Sequence, residues 1–102
     1  GVIVQKSFAE EHPEALAAFM EEYQDSVDFV NENPTEAATL METYDIIKAD
    51  VAEKAIPNCN IVCITGEEPN TALESFYQVL LEANPQSIGG AMPGDDFYLT
   101  NF

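Results

Sequence analysis

The side chains best suited to nucleophilic or redox chemistry in this 102-residue chain are Cys59, Cys63 and its single histidine, His12. The cysteines stand in Asn58-Cys59-Asn60-Ile61-Val62-Cys63. That spacing matches neither a Cys-x-x-Cys redox pair nor a four-ligand zinc pattern. In an extended segment they share a face but lie roughly 13 Å apart, beyond bridging distance, so both are expected to stay free. A nucleophilic dyad needs a His beside one of them, whereas His12 precedes Pro13 at a predicted helix start and is expected to be exposed. The cysteines are explained as small apolar packing residues. No residue is assigned a catalytic role.

Carboxylates are the other abundant chemistry: 19 Asp and Glu against three Lys and no Arg give a net charge of −16. Acid and base catalysis by paired carboxylates needs a cleft that drives their pKa values apart, and here the acidic residues form a solvated stripe. A calcium loop needs a series of oxygen ligands, yet Asp95-Asp96 supplies only two adjacent groups. Gly89, Gly90 and Gly94 lack a following Gly-Lys-Ser/Thr and read as turn glycines rather than a phosphate cradle. Thr65-Gly66 before a helix is read as a cap, with Thr65 paired to Glu68, because Glu67 and Glu68 repel an anion there. Neither a cofactor nor a metal is assigned. The negative balance also opposes binding to nucleic acid phosphates and anionic lipid surfaces.

The elements that position these groups follow from the hydrophobic pattern. Val2 to Lys6 is short, apolar and β-branched, which favours a strand. Pro13 to about Asn31 is a predicted helix, with Pro13 suited to its first position. At ~100° per residue, Leu16, Phe19, Met20, Tyr23, Val27 and Val30 share one arc, and Glu14, Glu21, Asp25, Asp28 and Glu32 lie opposite. Phe29 falls near the acidic edge, as a partly exposed residue or a contact point.

Asn33-Pro34-Thr35-Glu36 reads as a stop followed by a capping box, opening a second helix that ends near Tyr44. A short third helix runs from about Ala49 to Ile56, where Pro57 ends it. Asn60 to Thr65 is extended chain and a second strand candidate. From Glu67 or Pro69 to Ala83 the apolar arc, Ala72, Leu73, Phe76, Tyr77, Leu80 and Ala83, is widest, so this helix is expected to be the most buried. Residues 86–102 form a Gly- and Pro-rich loop and a tail clasp at Phe97-Tyr98-Leu99. The length favours one domain over 1–102, mainly α with about four helices and one or two short strands. No apolar run reaches the roughly 18 residues of a membrane span. The start at Gly1-Val2-Ile3-Val4-Gln5 lacks the zones of a secretory signal and reads as the interior of a longer protein.

Ser7-Phe8-Ala9-Glu10-Glu11-His12-Pro13-Glu14-Ala15, followed by Ala18-Phe19, resembles a segment of the solute-binding proteins of bacterial ABC importers for nitrate, sulfonates, taurine and thiamine precursors. Val30-Asn31-Glu32-Asn33-Pro34-Thr35-Glu36-Ala37-Ala38 looks like that family's helix-to-helix corner. Ala55-Ile56-Pro57-Asn58-Cys59-Asn60-Ile61-Val62, Asn84-Pro85-Gln86-Ser87-Ile88-Gly89-Gly90 and Asp95-Asp96-Phe97-Tyr98 continue the likeness in the same order through most of the chain.

The resemblance implies a two-lobed type II periplasmic binding protein, extracytoplasmic and either periplasmic or lipid-anchored, that closes on a small solute and hands it to a permease. This chain would be its last third, part of one α/β lobe. The sheet would then be built from upstream strands and the solute held mostly by upstream residues, so no ligand-binding residue is carried over. The segment by itself is expected to be mainly helical, with exposed apolar edges or self-association. The acidic face is a candidate for docking basic permease loops through Glu21, Asp25, Asp28 and Phe29, and neutralising the three carboxylates in the full-length protein is expected to weaken that docking. Composition alone also fits a different class, a freestanding acidic helical module for protein–protein interaction.

Overall fold

Proline sets the corners of the chain. A residue preceding proline is pushed out of the helical region of φ/ψ space, while proline itself suits the first turn of the helix that follows. In a computed structural model describing residues 1–100, two of these corners are nearly superposable in backbone angle. His12 (φ −132°, ψ 53°) separates α1 (Lys6–Glu11) from α2 (Pro13–Glu32). Asn33 (φ −128°, ψ 59°) separates α2 from α3 (Pro34–Thr43). Each closes the helix behind it by donating its backbone N–H, His12 to the Phe8 carbonyl and Asn33 to that of Phe29, both at 2.8 Å.

The chain continues through α4 (Ala49–Ala55), a 3₁₀ turn at Ile56–Asn58, α5 (Glu68–Ala83) and 3₁₀ turns at Pro85–Ile88 and Asp95–Phe97. The fold is mainly α, with five α-helices and no strand among the described residues. Both strand expectations are therefore corrected. Val2 to Gln5 carries no regular structure, and Lys6 begins a helix, the one α-helix that the pattern did not indicate. Residues 60–65 likewise form no strand. Strand composition needs a neighbouring strand to satisfy its backbone, and the described residues supply none. At Ile61 the missing neighbour is replaced by one side chain: Asn31 Nδ2 donates to the Ile61 carbonyl at 2.8 Å and to the Val27 carbonyl at 3.1 Å.

The capping expectations also change. Asn33 makes no side-chain bond into α3, and its Nδ2 instead donates backwards to the Phe29 carbonyl at 3.2 Å. The N-cap of α5 is Glu67 rather than Thr65, again without a side-chain cap bond. The start of α4 is capped from a distance: Glu42 Oε2 accepts the Ala49 N–H at 2.9 Å, placing a carboxylate at the positive end of the helix. A second tie between α3 and α4 runs from Thr35 Oγ1 to Glu53 Oε1 at 2.6 Å.

The chain forms two compact units, Gly1–Cys63 and Ile64–Phe102. The tip of the expected tail clasp, residues 101 and 102, lies outside the described residues. In the first unit the core is Ala37, Ala38, Ala52 and Ile56, with Val30, Met41, Ala49 and Ile61 packed against it. Alanine at these positions lets α3 and α4 approach closely, at the expense of little apolar area per residue. On α2, Leu16 and Val27 are buried and Met20, Tyr23 and Val30 half-buried, whereas Phe19 remains exposed. In the second unit α5 has no buried residue, and Phe76 and Val79 are 57% and 61% exposed. The expectation that α5 is the most buried helix is thus reversed: its wide apolar arc exceeds what the 3₁₀ turns and tail beside it can cover.

The end of α3 is a Schellman turn. Asp45 N–H donates to the Glu42 carbonyl at 3.0 Å and Ile46 N–H to that of Met41 at 2.9 Å, with Asp45 at φ 57°. Glycine occupies this left-handed position without the steric cost that a Cβ brings. Asp45→Gly is expected to stabilise the first unit by about 0.5–1 kcal/mol, read as an increase in the urea midpoint at unchanged m-value.

Candidate functional site

Cys59 is exposed and Cys63 half-buried, both as free thiols. His12 is exposed at the α1–α2 corner, where its ring lies 5.0 Å from that of Phe8, four residues earlier and on the same side of the turn. Among the described residues no three His, Cys, Asp or Glu side chains come together to hold a metal.

The docking candidates on α2 divide. Glu21, Asp25 and Asp28 recur at helical spacing and are exposed, and Asp28 Oδ1 accepts a hydrogen bond from Gln24 Nε2 at 3.0 Å. Phe29 lies at the edge of this stripe, one turn after Asp25. Its ring lines an open groove of about 190 Å³ between α2 and the α3 turn, together with Val30, Leu40, Met41, Tyr44 and Ile46. The Schellman turn makes this possible: by reversing the chain at Asp45 it places Ile46 beside Met41, the apolar pairing that accompanies such turns. The periodicity of α3 marks Leu40, Met41 and Tyr44 as a core stripe. What it does not carry is that Leu40 and Tyr44 stay exposed, nor that Ile46 joins them, since the turn lacks the glycine that usually announces it.

In the second unit Phe97 sits edge-on to Tyr77, with ring centroids 6.2 Å apart, and to Tyr98 at 5.3 Å. The Tyr98 hydroxyl is enclosed there without a hydrogen-bond partner. Its pKa is raised above the ordinary 10.0, first by desolvation and then by the negative charge of Glu74 and by Tyr77 and Asp95. The neutral phenol is thus favoured in the folded state, so its contribution to stability is complete below the unfolded value and declines as pH rises past it. A spectrophotometric titration is expected to show a phenol ionising above the ordinary value, absent in Tyr98→Phe. That variant loses no hydrogen bond and is expected to unfold no earlier than the parent at neutral pH.

At the preceding loop, Gly89 (φ 78°) and Gly90 (φ 91°) are left-handed, and Gly90 N–H donates to the Pro85 carbonyl at 2.8 Å. They serve the turn after α5. No helix among the described residues is long and apolar enough to cross a membrane. The groove and the acidic residues at its edge form a surface able to contact another molecule. Comparison with known protein families, curated proteins and solved structures finds no match.

Proposed function

We propose that this chain is a segment of the solute-binding component of a bacterial ABC importer, supplying helical scaffold and an outward acidic face to a lobe whose sheet and solute pocket are built by other parts of the protein. The ordered motifs from Ser7-Phe8 to Phe97-Tyr98 suggest it. The observation that carries it is a pair of β-branched runs without strand partners among the described residues: Val2, Ile3 and Val4 in one, Val62 and Ile64 in the other, all exposed, with Ile3 at 93%. Exposing such runs is costly and invites edge-to-edge aggregation, so a chain that keeps them fits one in which neighbouring strands come from elsewhere in the same protein. The solute would be a small species such as nitrate, a sulfonate, taurine or a thiamine precursor, and the permease would be the macromolecular partner. The working compartment would be extracytoplasmic.

Calorimetric titration of the whole gene product with each of these solutes is the test. Saturable binding of one of them by the whole product, with none by residues 1–102 alone, supports the reading. Absence of binding to all of them removes the solute role, and full affinity in the isolated segment removes the placement of the pocket. A second reading, a freestanding acidic interaction module, draws support from the groove on α2 and α3. It requires the mature natural product to be about as long as this chain, which the intact mass of the endogenous protein decides.

A further inference from the structure

We infer that the α2–α3 groove is a docking site for a cationic amphipathic helix of a protein partner. The groove sets the size of the guest. At about 190 Å³ it is smaller than the roughly 300 Å³ at which pockets for free small molecules begin, but it suits an apolar side chain or two presented by a larger body. Its walls are aromatic and aliphatic, and they are left open: Tyr44 and Ile46 are 74% and 72% exposed. Backbone amides in both walls are engaged within helices, so a guest strand finds no edge to extend. A helix laying anchors at i and i+4 along the cleft fits what remains.

Charge selects the kind of helix. Glu22 and Asp25 lie one turn before Ser26 and Phe29, Glu36 lies one turn before Leu40, and Asp45 stands between Tyr44 and Ile46, all of them exposed. An apolar cleft with a carboxylate rim complements Lys and Arg flanking apolar anchors, and opposite charge also speeds encounter. A second copy of this chain is the poorer occupant, because each copy brings a net charge of −16 to the contact. This inference does not depend on solute import: it concerns the first unit, Gly1–Cys63, whatever the rest of the protein binds.

The test uses a fluorescent synthetic peptide of about four helical turns, with Leu and Phe at i, i+4 spacing on one face and Lys and Arg on the other, titrated with the full 102-residue chain. The comparison peptide has the same composition in an order that gives no apolar face. The amphipathic peptide is expected to bind about tenfold tighter than the scrambled one, with Leu40→Ser plus Ile46→Ser weakening it by about tenfold. Glu22→Gln plus Asp25→Asn is expected to weaken it more than Glu10→Gln plus Glu74→Gln, which removes the same charge elsewhere. Circular dichroism of each variant establishes that it is folded. Equal binding of the two peptides, which needs no variant at all, reduces the effect to diffuse attraction and overturns the proposal. Parent-like binding by the folded groove variant also overturns it, as does a dimer in sedimentation velocity that Leu40→Ser plus Ile46→Ser dissociates, since the occupant is then a second copy.

Discussion

Ala52→Asp is expected to abolish the cooperative unfolding transition of the first unit. Ala52 is 2% exposed and sits with Ala37, Ala38 and Ile56 in a cluster that contains no polar side chain. A carboxylate there loses its hydration without gaining a partner, a penalty on the order of 3–5 kcal/mol. Whole domains are stable by only about 5–15 kcal/mol, and this core of three alanines and one isoleucine belongs at the bottom of that range or below it. Aspartate in place of Ala52 therefore tips the unit to the unfolded side, read as loss of both the helical circular dichroism of α2 to α4 and the sigmoidal urea curve. Glu53→Ala, one residue on, gives up the bond with Thr35 at an exposed position and is expected to shift the midpoint only slightly. A folded Ala52→Asp protein contradicts the placement of the α3–α4 contact.

Hydrogen exchange is expected to divide the chain as sharply. In α2 to α4, amides lie over a buried cluster and open only as the first unit unfolds. In α5 no residue is buried, so the helix relies on its own propensity and on half-buried Tyr77, Leu80 and Leu81. Isolated helices of up to ~15 residues are marginal in water, which limits α5 to protection of about tenfold or less. Amides of α3 near Ala38 should exceed that by at least about a hundredfold, the equivalent of ~2.7 kcal/mol. Equal protection in α5 and α3 would mean that the exposed face of α5 is covered in solution.

Helices α2 and α3 were legible almost to the residue, because proline marks both beginnings and the acidic and apolar faces of α2 separate cleanly. The pattern misleads where an element needs a partner. Val2 to Lys6 and Asn60 to Thr65 have strand composition, but composition cannot create the neighbouring strand, and the first run gives way to a helix at Lys6. The Asn33 cap differs for a local reason: Asn33 has two helix ends within reach, and its side chain bonds the earlier one. For α5 the apolar arc is wide, but burial depends on how much surface the rest of the chain offers, and no residue of α5 is buried.

The candidate site was half visible. Glu21, Asp25 and Asp28 are exposed on α2, as their spacing requires, and the position of Phe29 at the edge of the acidic stripe fits either a partly exposed residue or a contact point; it is partly exposed and lines the groove. The groove that Phe29 helps to line was hidden because it depends on the Schellman turn, where an aspartate at φ 57° stands in the place usually held by glycine. Glu22 was hidden for a related reason: its significance comes from lying on the same side of α2 as Ser26 and Phe29, and that side becomes a wall only once α3 folds against it.

The solute-carrier reading is tested most directly by uptake in living cells. Cells carrying the whole gene and cells in which it is deleted are given labelled nitrate, taurine, an alkanesulfonate or a thiamine-precursor pyrimidine at low external concentration. Loss of uptake of one of these in the deletion strain, restored by the whole gene but not by a version lacking residues 1–102, is the predicted result. Unchanged uptake of all four would contradict it.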